Sequence, residues 1–245
     1  FDIVATNWGR NSFYETLLRE EGGESRLALF VGDVDGNGTV GQLEAVRVGD
    51  RWLPVRDRHA LEKGLPDLRS RFPVHAAMVK AGIEGIAGPA FERLKKMEVN
   101  QLDTTLFINH GDRFESVPLP MEVQLTPAFS VCVGDVDADG NDDLFFSQNF
   151  FAVRPEDPRN DAGTGLWLLG HGDGTFRALK PSESGVRVYG EQRGAALADF
   201  DRDGRVDLVV TQNAAATRLF RNQAETKGVR VSFGGEGEGV QARLV

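Results

Sequence analysis

Apolar positions along this chain come in short runs that end in Asp, Asn or Gly, a pattern that predicts β-strands separated by tight turns. One stretch departs from it. From about residue 57 to 99, "HALEKGLPDLRSRFPVHAAMVKAGIEGIAGPAFERLKKME" repeats its apolar residues at helical spacing. Leu65-Pro66, Phe72-Pro73 and Gly88-Pro89 divide this helical insert into short pieces, because proline removes a backbone donor and clashes with the preceding turn. In its last piece, "FERLKKME", Phe91, Leu94 and Met97 are expected to face inward from an otherwise solvated helix.

Self-comparison brings three segments into register: "LALFVGDVDGNGTVGQLEAV" from Leu27, "FSVCVGDVDADGNDDLFFSQN" from Phe129 and "GAALADFDRDGRVDLVVTQN" from Gly194. Each is an apolar run, a loop of pattern D-x-D-x-[DN]-G, and a second apolar run. Two strands joined by an acidic loop are therefore predicted three times over. "TTLFINHGDRFESVPL" from Thr104 and "GLWLLGHGDGTFRALKP" from Gly165 place Gly-Asp between apolar runs and read as hairpins forming the outer strands of such repeats. "TRLFRNQ" from Thr217 continues the third copy. The first residues, "FDIVATNWGRNSFY", align with "VDLVVTQNAAATRLF" from Val206, so that Asp2 falls where Asp207 falls and is expected to be the last ligand of a further loop. The chain is thus expected to start inside a repeat.

Carboxylates at alternate loop positions can curl around one hard cation, and glycine at position six permits the sharp turn; the chemistry points to Ca2+. The second loop supplies Asp135, Asp137, Asp139, the Asn141 carbonyl and Asp143 at positions one, three, five, seven and nine. The third supplies Asp199, Asp201, Asp203, the Arg205 carbonyl and Asp207. The first offers Asp33, Asp35, Asn37 and the Thr39 carbonyl but has Gly41 at position nine, which predicts weaker binding. Asp33 to Glu44 also fits the EF-hand pattern, which needs flanking helices. Its flanks, "LALFVG" and "AVRVGDRWLPV", are strand-like, and the other loops have Phe146 and Val210 at position twelve.

The net charge of −9, concentrated in these loops, disfavours nucleic-acid and anionic-membrane partners, and a bound cation would neutralise it locally. Twenty-nine glycines and three methionines suit an all-β body with many turns. The single cysteine, Cys132, excludes an internal disulfide and reads as part of a buried strand. No run is long enough to span a bilayer, and no basic start precedes an apolar stretch. His59, His75, His110 and His171 show no zinc spacing; His110 and His171 precede Gly-Asp in corresponding hairpins. "YGEQRG" from Tyr189 holds Glu191 and Arg193 in a packing or pairing role, and the alternating Gly and Glu of 234–239 form a turn that would repel phosphate.

"GDVDADGNDDLFFSQN", "ADFDRDGRVDLVVTQN" and "GDGTF" at Gly172–Phe176 resemble FG-GAP or VCBS repeat proteins with integrin-alpha-type β-propellers. "ATRLFRNQ" and "KGVRVSFGGEGEGVQARLV" resemble more closely the bacterial members of the cartilage acidic protein group, at the junction with an ASPIC/UnbV-type domain. The resemblance implies an all-β fold: β-propeller blades of four strands over 1–227, with calcium loops and the helical insert, and a last strand or ASPIC/UnbV-like start over 228–245. It implies an extracellular, cell-surface or periplasmic module that binds protein or carbohydrate or serves adhesion, without catalysis. The rival reading is the propeller domain of a secreted polysaccharide lyase or hydrolase, and a purely structural spacer is the third.

Overall fold

The computed structural model describes residues 1–19, 27–154 and 157–226. The Gly-Glu run at 234–239 and the expected last strand or small-domain start at 228–245 lie outside the described residues. Among the described residues most of the regular secondary structure is β-strand in antiparallel sheets, with few helices. By internal packing the chain divides into two compact units: Ser12–Leu102, and Phe1–Asn11 together with the chain from Asp103 onward.

Strand β1 (Ile3–Ala5) comes first. The unit Ser12–Leu102 then holds α1 (Phe13–Arg19), β2 (Leu27–Gly32), β3 (Gly41–Val48), β4 (Arg51–Pro54), α2 (Arg58–Glu62), α3 (Leu68–Arg71), α4 (His75–Ala87), a 3-10 turn (Gly88–Arg93) and β5 (Lys95–Val99). Its sheet runs β4-β3-β2-β5. Phe30, Leu43 and Ala45 of the sheet bury against Leu68, Met78, Ile83 and Ile86 of the helices, so the helical stretch covers one face. The proline divisions fall between the helices as expected. Asp57 caps α2, its carboxylate accepting the Ala60 N–H at 2.8 Å. Gly82 lets α4 pass close to β4: a Cβ there would lie 2.9 Å from the Trp52 carbonyl, and φ is +68°.

The end of this stretch departs from the helical expectation. Lys95–Val99 is a strand paired with β2, and Met97 is 47% exposed rather than inward. Helical spacing of three apolar residues was outweighed by the free backbone edge of β2, which offers a row of unpaired hydrogen-bonding groups. Lys95, Lys96 and Glu98 leave the new edge charged.

The other unit contains β6 (Thr105–Asn109), β7 (Phe114–Pro118), β8 (Ala128–Gly134), β9 (Asp143–Gln148), β10 (Leu166–Gly170), β11 (Phe176–Ala178), α5 (Pro181–Ser184), β12 (Gln192–Ala198), β13 (Asp207–Gln212) and β14 (Ala215–Phe220). Its sheets are β1-β6-β7, β8-β9-β10-β11 and β12-β13-β14, each in simple sequential order. The hairpin from Thr104 is therefore an outer pair, but its inner strand is β1 and not β3: Ile3 faces Phe107 and Ala5 faces Thr105. The whole of Ser12–Leu102, first acidic loop included, is inserted between the second and third strands of a repeat. That is a larger insertion than the helical stretch alone.

These three sheets stack in succession. Every residue of β9 is buried, and alternate side chains point to opposite faces of a strand. Leu144 and Phe146 pack with Leu106, Val4 and Ile108 of the first sheet. Phe145 packs with Leu208, Val210 and Phe220 of the third and lies 5.2 Å, centroid to centroid, from Trp167. Burying a side chain of this size stabilises by roughly 2–3 kcal/mol. Cys132, half-buried in β8 beside the second core, has its thiol pKa pushed up by burial.

Candidate metal centres

All three acidic loops connect paired antiparallel strands: β2 to β3, β8 to β9, and β12 to β13. Strands on both sides exclude an EF-hand at Asp33–Glu44, and Glu44 is already paired with Arg56 at 2.5 Å. The loops share one internal hydrogen-bond scheme. The position-one carboxylate accepts the N–H groups of positions five and six: Asp33 from Asn37 and Gly38 (3.0 and 2.9 Å), Asp135 from Asp139 and Gly140 (3.1 and 3.0 Å), and Asp199 from Asp203 and Gly204 (2.9 and 3.1 Å). Position three accepts the N–H of position five at 3.3 Å in every copy. Position five accepts that of position seven: Thr39 to Asn37, Asn141 to Asp139 and Arg205 to Asp203. Backbone at positions four and six is left-handed throughout, with Gly36, Ala138 and Arg202 at four and glycine at six.

Position nine separates the copies. Asp143 and Asp207 are 1% and 2% exposed. Each ties its loop to the sheet: Asp143 accepts the N–H of Val136 at 2.8 Å and of Gly170 at 2.9 Å, and Asp207 that of Phe200 at 3.0 Å and of Asn222 at 2.8 Å. Asp2 accepts the Asn109 N–H at 2.8 Å. Asn109, Gly170 and Asn222 occupy the same register position, each one residue past the one that faces the position-nine aspartate, at the end of the third strand of its sheet. Asp2 therefore stands where its alignment with Asp207 puts it. These three donors carry no residue-type signal, so only the repeat register could have pointed to them.

Carboxylate oxygens of Asp135, Asp137 and Asp143 lie within 4.8 Å of one another, and so do those of Asp199, Asp201 and Asp207. Asp139 and Asp203 stand outside these two groups, their carboxylates turned to the backbone and side chains of Asn141 and Arg205. Among the described residues the first loop forms no such group, because Gly41 has no carboxylate to add. Burial, with Asp137 and Asp135 nearby, raises the Asp143 carboxyl above its ordinary value despite the N–H groups of Gly170 and Val136. A clustered, partly buried, all-oxygen donor set carrying unrelieved negative charge fits a hard divalent cation such as Ca2+.

At the opposite ends of the same sheets, Glu191 is 4% exposed and accepts the Phe151 N–H at 2.8 Å and the Asn213 amide at 2.6 Å. Arg193 pairs with it at 2.5 Å and lies over the Phe129 ring at 3.9 Å. Burial opposes its charge, but these donors hold the Glu191 carboxyl below the usual range. The two residues pair with each other, but at the end of β12 away from the acidic loop rather than around its carboxylates. His110 meets Glu115 at 2.8 Å on a hairpin turn. Among the described residues no helix is long and apolar enough to cross a membrane.

Residues 150–239 match the family model of an FG-GAP-like repeat, a span that includes the third loop. A stretch of 69 residues is 42% identical to cartilage acidic protein 1 of Xenopus tropicalis; it covers 28% of this chain and 10% of that protein. The chain thus spans about a tenth of the curated relative it matches. Over residues 150–239 the chain is thus similar to an FG-GAP-like repeat, and over the 69-residue stretch it is similar to cartilage acidic protein 1.

Proposed function

We propose that this chain is a calcium-stabilised module of the β-propeller type that acts in recognition of protein or carbohydrate outside the cytoplasm. The observation that carries the reading is the pair of carboxylate groups, Asp135/Asp137/Asp143 and Asp199/Asp201/Asp207, each drawn together by the same loop scaffold between two strands of one sheet. Asp139 and Asp203 join these sets, with the Asn141 and Arg205 carbonyls, when their carboxylates turn from the Asn141 amide and the Arg205 guanidinium that hold them. The first loop, with Asp33, Asp35, Asn37 and the Thr39 carbonyl, binds more weakly. Three sheets in sequential strand order, stacked through two cores, support blades of a propeller. The FG-GAP-like match and the cartilage acidic protein relation support a location at the cell surface, in the envelope or in the medium.

In this reading the ion's first task is structural: it relieves the mutual repulsion of converging carboxylates and stiffens the hairpins. A ligand that binds only the folded chain at a hundred times its Kd adds about 2.7 kcal/mol per site. Calorimetric titration of chelator-treated protein with CaCl2, followed by thermal melting, is the test. Two sites and a rise in Tm are expected. Absence of both heat and a calcium-dependent Tm overturns the proposal.

A further inference from the structure

The two complete loops belong to neighbouring sheets, yet one short segment touches both. Arg221–Thr226, just beyond β14, runs between them. Toward the third loop it makes three contacts: the Arg221 guanidinium pairs with Asp201, the Asn222 N–H donates to Asp207 Oδ1 at 2.8 Å, and the Ala224 carbonyl accepts from Arg205 Nε at 2.6 Å. Toward the second loop it makes two. Asn222 Nδ2 donates to the Val136 carbonyl at 2.7 Å, and the Thr226 hydroxyl donates to the Asp137 carbonyl. Asn222 Oδ1 accepts the Ala224 N–H at 2.9 Å, which fixes the rotamer that makes this span.

Asn222 closes a continuous relay. Asp207 accepts its backbone N–H, its side chain holds the Val136 carbonyl, and the Val136 N–H donates to Asp143 Oδ2 at 2.8 Å. Each end of the relay is a position-nine carboxylate. The equivalent residue in the preceding sheet is Gly170, which has no side chain to reach with and no room for one: a Cβ there would lie 2.2 Å from the Asp142 carbonyl. Asn109, equivalent in the first sheet, directs its amide to the Phe1 carbonyl instead. The cross-link is specific to the second and third loops.

Resting on the reading of these loops as calcium sites, we propose that Arg221–Thr226 is a strap that couples them, so that filling one raises the affinity of the other, with Asn222 as its positioning residue. The physical basis is shared ordering. An ion on Asp207 fixes the Asn222 backbone, and the same residue then holds the Val136 peptide in the orientation that Asp143 needs. The second ion meets a loop whose ordering has already been done. Because coupling is a free energy between two binding equilibria, it is reciprocal.

The test is CaCl2 calorimetry on four chains: the unsubstituted protein, Asp137→Asn with the second loop disabled, Asp199→Asn with the third disabled, and Asn222→Ala. Coupling makes the product of the two binding constants in the unsubstituted chain exceed the product of the single-loop constants by about fivefold or more, a usual size for linked sites. In Asn222→Ala that excess disappears while both ions still bind. Thr226→Ala, at an exposed position, lowers the excess in part and serves should Asn222→Ala melt without cooperativity. Equal products in the unsubstituted chain overturn the coupling and leave the calcium reading standing. An excess that persists in both variants overturns the strap. No calcium heat from the unsubstituted chain overturns the loop reading and the coupling with it.

Discussion

The first and second acidic loops have the same backbone scaffold in two different settings. Asp33 and Asp135 accept the same pair of N–H groups, and Asn37 and Asp139 close the next turn in the same way. Gly41 and Asp143 even share a register position, since each faces the last glycine of the preceding strand, Gly32 or Gly134. One loop gathers carboxylates and the other does not. The D-x-D-x-[DN]-G string thus writes the shape of the turn, while the residue at position nine decides whether that shape becomes a charged site. Shape and site are separable, and each can be altered alone.

Asp143→Ala should have the largest effect. It leaves the Val136 and Gly170 N–H groups without their acceptor in a buried place, and we expect a loss of about 3 kcal/mol in calcium-containing buffer, read by chemical denaturation. The calorimetric stoichiometry should fall by one. Asp33→Ala, on the exposed first loop, should leave the stoichiometry of strong sites unchanged.

Gly41→Asp is the converse experiment. A Cβ at Gly41 would approach Val34 Cγ2 at 3.2 Å, a contact that a small side-chain adjustment absorbs. The substitution should add one calcium site in titration, whereas Gly41→Asn, without the charge, should add little. An unchanged stoichiometry would mean that the first loop's setting, and not its ninth residue, withholds the site.

Position four gives a smaller contrast. The first loop has Gly36 in the left-handed region (φ +76°), where the second and third strain Ala138 (φ +60°) and Arg202 (φ +63°). Left-handed backbone costs a non-glycine residue roughly 1–2 kcal/mol, and part of that returns as glycine's greater freedom in the unfolded chain. Ala138→Gly should therefore stabilise by up to about 1 kcal/mol, and Gly36→Ala should destabilise by a similar amount. Melting curves of the two variants decide it.

The weakest effect is one of sign with pH in chelator-treated protein. The Asp143 carboxyl is raised, by burial first, so the folded chain holds that proton more tightly than the unfolded one. Its contribution is present at low pH and lost as pH rises through the raised folded value. The Asp33 carboxyl is lowered, by the Gly38 N–H first, against some burial and with help from Gly36 and Asn37. Its contribution is present above the unfolded value and lost as pH falls through the lowered one. Acidification should then favour folding through Asp143 and oppose it through Asp33, so Asp143→Asn and Asp33→Asn should change the pH dependence of stability in opposite senses, read by denaturation at a series of pH values.

Much of this was legible before any coordinates. Loop boundaries, strand flanks and the inequality at Gly41 follow from residue types at fixed offsets, and local turn chemistry is what such offsets encode. Partnership between distant strands is not encoded that way. Nothing near Thr104 states that β6 belongs beside β1 and not β3, since both read as short strands that follow an acidic position. "KKMEV" reads equally as helix or strand until the free edge of β2 is known. Asn222 was legible only as part of "ATRLFRNQ", and its bridging position depends on the stacking of two sheets.

The insertion of Ser12–Leu102 between β1 and β6 bears on the order of assembly. Contacts such as Asn7 N–H to the Thr104 hydroxyl and Arg10 to Asp103, at 3.1 and 2.5 Å, close a stem across almost a hundred residues of chain. Loop-closure entropy grows only logarithmically, so closing this stem costs about 1.5 kcal/mol more than closing the shorter connection between β9 and β10. The inserted unit has its own hydrophobic core. If it collapses first, the stem's ends are brought toward each other by a folded body rather than by a search through an open coil, and pairing of β1 with β6 becomes a late step instead of a nucleus.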